Sequence, residues 1–99
     1  MPINEEKAAI LEVECIAAYD ELADCFLERA SLLTDQAASV RRYAQTWTGG
    51  ISDKEKEIAT HIRNRLDITV MKENELQVKI HRLRAEWRLE KGMKNDDQE

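Results

Sequence analysis

The sequence predicts an all-α protein built as one long antiparallel helical hairpin. Three observations indicate it: two long stretches without glycine or proline, apolar residues at helical spacing in both stretches, and a glycine pair with a capping signal between them. Of the 99 residues, 5% are aromatic and 35% charged, and such a composition with few helix breakers favours long helices. We expect a single domain, with a first helix at about 5–47, a turn at 48–52, a second helix at about 53–91 and a frayed tail at 92–99.

Apolar residues recur along the first predicted helix every three or four positions. The series runs Leu11, Cys15, Ala18, Leu22, Phe26, Ala30, Leu33, Ala37, Val40, Ala44 and Trp47. Ten steps over 36 residues match the 3.6-residue period of a straight α-helix better than the 3.5-residue period of a coiled coil. We expect this stripe to face the second helix along its whole length.

Two adjacent glycines, Gly49 and Gly50, separate the two helical stretches. Glycine adopts the left-handed conformation that commonly ends a helix, so the pair predicts where the first helix stops. Ser52 and Glu55 then have the spacing of a capping box, in which each side chain accepts a hydrogen bond from the other residue's backbone N–H. The end of the first helix and the start of the second lie so close together that they predict a tight antiparallel turn.

The second predicted helix repeats the apolar spacing of the first. Its series runs Ile51, Glu55, Ile58, Ile62, Leu66, Thr69, Glu73, Leu76, Ile80, Leu83 and Trp87. Folding at the glycine pair brings together residues whose numbers sum to 98 or 99, such as Leu11 with Trp87 and Ala37 with Ile62. Small residues of one helix then face large residues of the other, which allows close packing. Phe26 is the exception, because polar residues lie opposite it.

Charge supports the same antiparallel arrangement. Residues 5–28 contain eight acidic residues and one lysine, a net charge of −7, whereas residues 79–94 contain six basic and two acidic residues, a net charge of +4. The hairpin places these segments side by side, and their opposite charges favour that orientation over a parallel one. Individual ion pairs on such exposed faces contribute little, about 0–1 kcal/mol each.

Helix propensity is lowered in both helices at positions that lie opposite each other in the predicted hairpin. Thr34 or Asp35 is suited to begin a new helix, since their side chains compete for backbone hydrogen bonds. Across the hairpin, β-branched residues follow Asp67 and lower the helix propensity. The sequence therefore leaves open whether the helices kink or break near Thr34 and Asp67.

A second set of apolar residues lies on the sides of the helices that face away from these stripes. The set comprises Val13, Ile16, Ala23 and Leu27 on the first helix, with Met71, Val78, Ala85 and Leu89 on the second. A two-helix hairpin does not bury two opposite faces by itself. We expect this set to contact another chain, most simply a second copy in a homodimeric four-helix bundle, or a different protein. The alternative is that these are ordinary exposed aliphatic side chains.

The sequence contains no motif of catalytic residues, and we expect no enzymatic activity and no cofactor. Glu57 and His61, with Asp53, have a spacing that could hold one metal ion, but a solvated pair on a helix surface is the commoner arrangement. We therefore expect no metal site. Glu73, on the inner stripe, is expected to pair with Arg29 or Lys72. Cys15 and Cys25, about 15 Å apart on one helix, are expected to be free thiols that fill small apolar spaces.

These observations favour a non-enzymatic protein–protein interaction protein, such as an adaptor, a regulator or an assembly component. The net charge of −5 leaves one alternative, an acidic inhibitor of a nucleic-acid-handling protein, and a metal-binding bundle is a second. Direct nucleic-acid binding is disfavoured because the basic residues near the C-terminus point in scattered directions. No apolar run reaches the about 18–20 residues of a membrane span, and the acidic start differs from a secretory signal, so we expect a cytoplasmic protein.

Overall fold

The computed structural model describes residues 4–46 and 51–92. Helix α1 spans Glu5–Thr46 and helix α2 spans Asp53–Glu90, the two run antiparallel, and the described residues contain no strand. The all-α hairpin is thus confirmed, with helix ends within one residue of those predicted. The expected turn glycines Gly49 and Gly50 and most of the expected tail lie outside the described residues. Neither helix contains an apolar stretch long enough to cross a membrane.

Both helices continue without a break through the positions where the sequence leaves a kink or break open. Thr34 and Asp67 lie inside α1 and α2. The hydroxyl of Thr34 donates to the carbonyl of Ala30 at 2.9 Å, and the hydroxyl of Thr69 donates to the carbonyl of Arg65 at 2.9 Å. These bonds to the residue four positions earlier satisfy the hydroxyl groups without interrupting the helix.

Polar caps begin both helices. The Asn4 side chain accepts a hydrogen bond from the backbone N–H of Lys7 at 3.0 Å, and Ser52 Oγ accepts one from the N–H of Glu55 at 3.2 Å. The first half of the predicted capping box is confirmed, whereas the Glu55 carboxylate reaches across to α1. At its other end α2 closes at Gly92, whose φ of 74° is the left-handed conformation that glycine adopts readily.

The chain forms two compact units. Unit 1 comprises the residues up to Ala23 and those from Asn74 onward, and unit 2 comprises Asp24–Glu73. In unit 1, four residues form the buried core and three others pack against it. The core residues are Leu11, Ala18, Ile80 and Leu83, and the partly buried ones are Cys15, Leu22 and Trp87. All seven belong to the two predicted stripes, so the predicted contact face is confirmed in unit 1.

In unit 2 the prediction for α1 is wrong. Phe26, Leu33 and Val40 were expected in the contact with α2, but they are 42%, 48% and 62% exposed. The alanines expected beside them are also exposed, namely Ala30, Ala37 and Ala44. The α1 residues that are buried or half-buried here include Cys25, Leu32 and Ser39. On α2 the predicted stripe is correct, with Ile62, Thr69 and Glu73 buried and Ile58 and Leu66 half-buried.

The difference comes from the period of the contact. Leu11, Ala18, Cys25, Leu32 and Ser39 are each seven residues apart, so the buried face of α1 follows the 3.5-residue period of a coiled coil. A stripe of residues that follows the 3.6-residue period turns away from such a seam by about 20° per heptad. Over three heptads that drift moves the predicted stripe off the partner helix. The sequence-based stripe followed the larger apolar residues, and the structure places those outside.

Candidate interaction surfaces

The seam between the helices in unit 2 contains a buried carboxylate. Glu73 is 4% exposed, and its Oε1 lies 3.4 Å from Nη1 of Arg29, which confirms one of the two predicted pairings. Its Oε2 is buried without a hydrogen-bond partner. The Arg29 side chain is 42% exposed, so only the carboxylate side of this ion pair is buried, and another register would leave that carboxylate without its partner. We assign Glu73 a structural role in aligning the helices.

Arg29 links this seam to the outside of α1. Its guanidinium carbon lies 5.5 Å from the centre of the Phe26 ring, a cation–π contact. Its other contact is the ion pair with Glu73. Phe26 therefore rests against a charged group on the surface of the hairpin instead of entering the seam.

Polar contacts join the two helices elsewhere in unit 2. Ser39 Oγ donates to Oε2 of Glu55 at 3.1 Å, and Oε1 of the same carboxylate lies 3.5 Å from Nε of Arg42. Glu28 also pairs with Arg65 across the hairpin. The seam of unit 2 thus combines polar contacts with apolar residues such as Leu32 and Ile62.

An open groove of about 370 Å³ lies in unit 1. It is lined by Leu11, Glu12, Cys15, Ile16, Tyr19, Leu83, Arg84, Trp87 and Arg88. The Trp87 indole N–H donates to Oε1 of Glu12 at 2.8 Å, and the Lys91 ammonium lies 5.9 Å from the centre of the Trp87 ring. The lining of the groove combines apolar side chains with acidic and basic ones. Within the described residues, no group of three or more metal-ligating side chains forms there or around Asp53, Glu57 and His61.

Oppositely charged side chains pair in unit 1 where α1 begins and α2 ends. Lys91 Nζ donates to Oε2 of Glu5 at 2.8 Å, and Lys7 Nζ lies 3.1 Å from Oε1 of Glu90. The hydrogen bond to Glu5 is the main cause that raises the pKa of Lys91 above its ordinary value. The backbone N–H of Asn4 also donates to the carbonyl of Glu90 at 3.0 Å. The contact of Glu5 with Lys91 has the polarity that the sequence predicts, acidic on α1 and basic after α2, whereas Lys7 and Glu90 pair in the opposite sense.

Both cysteines are free thiols. Cys25 is buried in unit 2, and Cys15 packs against the core of unit 1. Both positions lie on the buried face of α1, as expected for small apolar fillers.

The side chains predicted to contact another chain are exposed, with one exception. Val13, Ile16, Ala23, Leu27, Met71, Val78 and Leu89 are exposed, and Ala85 is half-buried. Val13 and Leu27, fourteen residues apart, point away from the seam of α1, and Met71 and Val78, seven apart, point away from the seam of α2. They therefore form separate outer faces on the two helices. Their contact with a partner stays a prediction.

A second apolar surface, which the sequence reasoning missed, runs along α1 in unit 2. We call it the apolar strip and define it as Phe26, Ala30, Leu33, Ala37, Val40 and Ala44. Its members follow one another at steps of four and three residues, the spacing of a coiled-coil seam. All six are exposed and none is charged. In unit 1 the residues Ile16, Tyr19 and Ala23 are also exposed and continue the same spacing toward the N-terminus.

The signal that could have separated the two surfaces is present in the sequence. Leu11 and Ala18 belong to the confirmed core of unit 1, and a seven-residue step from Ala18 leads to Cys25, Leu32 and Ser39. Following that step assigns these three residues to the seam and leaves the apolar strip uncovered. Serine and cysteine are weaker hydrophobic signals than phenylalanine and leucine, so the apolar pattern favours the residues of the apolar strip over those of the seam.

Comparison with known proteins gives no relative from which a role could be transferred. No protein family, curated protein or solved structure matches the chain.

Proposed function

We propose that this chain is a non-enzymatic interaction protein, an adaptor, regulator or assembly component that presents apolar helix faces to partner helices. One observation carries the proposal: large apolar side chains are exposed along helices whose own contact is already filled by other residues. In unit 2, Cys25 and Ser39 occupy the seam, while Leu33 and Val40 are exposed. Apolar side chains that a hairpin does not use for its own packing are available for another helix.

The arrangement of these side chains supports helix-to-helix docking. Members of the apolar strip recur at steps of three and four residues, which aligns them on one face of α1. A partner helix laid along such a face buries every member at once, as in helix-in-groove recognition. Contiguous apolar surface on a small soluble protein commonly marks an interaction site.

Assembly as a homodimer is the form of interaction that we favour, and extension of the contact into unit 1 would make it a four-helix bundle. The exposed residues of unit 1, including Ile16 and the groove beside it, would add contact area in such a bundle. Burying each large apolar side chain contributes about 1.5–3 kcal/mol, so a few of them together offset the entropy lost on association.

The test is the size of the particle in which the full chain occurs. Wild type should sediment above its monomer mass of 11.5 kDa, either alone or in an extract of the cells that make it. A variant with Ile16→Gln, Leu33→Gln and Val78→Gln, one change on each apolar face, should sediment as a monomer with unchanged helicity.

The matched control changes exposed polar residues of the same helices, as Glu14→Gln, Ser31→Gln and Lys79→Gln, and should behave as wild type. Wild type that stays a folded monomer both alone and in the extract would refute the proposed function.

A further inference from the structure

We propose that the apolar strip is the contact through which two copies of this chain pair, with α1 of one copy antiparallel to α1 of the other. The inference rests on the proposed function and deepens it, because it names the partner as a second copy and assigns the surface. The contact lies wholly within unit 2, between residues 26 and 44 of the two copies.

The strip is complementary to itself in the antiparallel direction. When Leu33 of one copy lies opposite Ala37 of the other, opposed residues have numbers that sum to 70. Every layer then consists of one large side chain and one alanine. The layers are Phe26 with Ala44, Ala30 with Val40 and Leu33 with Ala37, each occurring twice around the two-fold axis. Alternating small and large residues across facing positions lets two helices interdigitate at constant separation.

The parallel arrangement lacks this match. It would place Ala37 opposite Ala37 and Leu33 opposite Leu33, so that under-filled layers alternate with crowded ones. Shape complementarity therefore favours the antiparallel direction of pairing.

Charge also favours a second copy of this α1 over a helix of ordinary surface composition. Although 35% of the chain is charged, the strip contains no charged residue. Two charged neighbours on α1, Glu28 and Arg29, are paired with α2 of their own chain. These two charges keep their partners when a second copy approaches, and a charge buried without a partner would be costly. A partner must offer an uncharged helix with an alanine every seventh residue opposite the large side chains, and the strip itself meets that requirement.

Two adjacent alanines provide a matched test. Ala37 lies on the strip and Ala38 does not, and both are exposed on α1. Sedimentation of the full chain at micromolar concentration should give a dimer for wild type and for Ala38→Glu. Ala37→Glu should weaken pairing by about a hundredfold or more, since it buries an unpaired carboxylate. Circular dichroism should show the same helicity for both variants. Equal dimerisation of Ala37→Glu and Ala38→Glu would overturn the proposal.

The register is tested by disulfide trapping with Cys15 and Cys25 replaced by alanine. Mixing a Leu33→Cys chain with an Ala37→Cys chain should give a cross-linked heterodimer, because these positions lie opposite each other in the proposed pairing. Each variant alone should cross-link far less. Cross-linking of Ala37→Cys chains alone, to the same extent as the mixture, would overturn the antiparallel register.

Failure of this inference can be distinguished from failure of the proposed function. A wild type that is monomeric alone but enters a larger particle in extract overturns pairing with a second copy and leaves the proposed function in place. A wild type that is monomeric in both conditions overturns both.

Discussion

A single carboxylate, Glu73, shows how individual residues align this hairpin. It is buried beside Arg29, with one oxygen at 3.4 Å from the guanidinium and the other without a partner. Ser39 is also buried on this seam, and its hydroxyl donates to Glu55 of the other helix. Hydrogen-bonding groups tolerate fewer registers than apolar ones do, because a shift leaves them unpaired. Polar residues in the seam of unit 2 therefore select one alignment of the helices at some cost in stability.

Removing the partner of Glu73 should destabilise the chain more than removing an arginine elsewhere. Arg29→Met leaves the carboxylate buried without its ion pair, and we expect a loss of about 1–2 kcal/mol, limited by the partial exposure of Arg29. Urea unfolding at neutral pH, followed by circular dichroism, measures the change. Arg63→Met, an exposed arginine of α2 in the same unit, is the control. Equal stability of the two variants would show that Glu73 does not depend on Arg29.

At the scale of the helices, the sequence predicts their existence and direction well and the buried face of α1 poorly. The start of α2 follows from a local signal, the cap at Ser52, which acts within one turn. Which face of a long helix is buried depends on its partner, because packing selects the 3.5-residue period. An error of 0.1 residue per turn in the assumed period accumulates along the helix. The predicted face is therefore nearly correct at Leu11 and wrong at Val40. The apolar strip was missed for this reason.

Neighbouring leucines test the corrected seam. Leu32 is half-buried and Leu33 is 48% exposed. Leu32→Ala should cost about 1–3 kcal/mol of stability, and Leu33→Ala less than about 1 kcal/mol, because only the first leaves a space within the hairpin. Both are measured by chemical denaturation in the Ala37→Glu background, in which the copies do not pair. A larger effect of Leu33→Ala would restore the seam predicted from the 3.6-residue period.

At the scale of the whole molecule, the question is how far pairing extends beyond the apolar strip. The sequence predicts a four-helix bundle that uses Ile16, Val78 and Leu89, and these side chains are indeed exposed. The self-complementary layers, by contrast, all lie in unit 2. Exposure alone does not decide between the two, since isolated exposed aliphatic side chains are common on protein surfaces.

A charged substitution at Ile16 distinguishes a dimer that pairs through the apolar strip from a four-helix bundle. Ile16→Glu should leave the dimer intact, because Ile16 lies outside the layers between residues 26 and 44. Sedimentation at micromolar concentration, beside Ala37→Glu as the dissociated reference, provides the measurement. A monomeric Ile16→Glu chain with wild-type helicity would show that the contact includes unit 1, as the four-helix bundle requires.

The polar seam of unit 2 also has a consequence for motion. Unit 1 encloses four apolar core residues, whereas the buried residues of unit 2 include Ser39, Thr69 and Glu73. Local opening requires less free energy where fewer apolar contacts are lost, so backbone amides of unit 2 should exchange with solvent sooner than those of unit 1. A second copy on the apolar strip would slow that exchange in unit 2, since opening would then also require dissociation. The least rigid part of the isolated chain would thus become ordered through its partner.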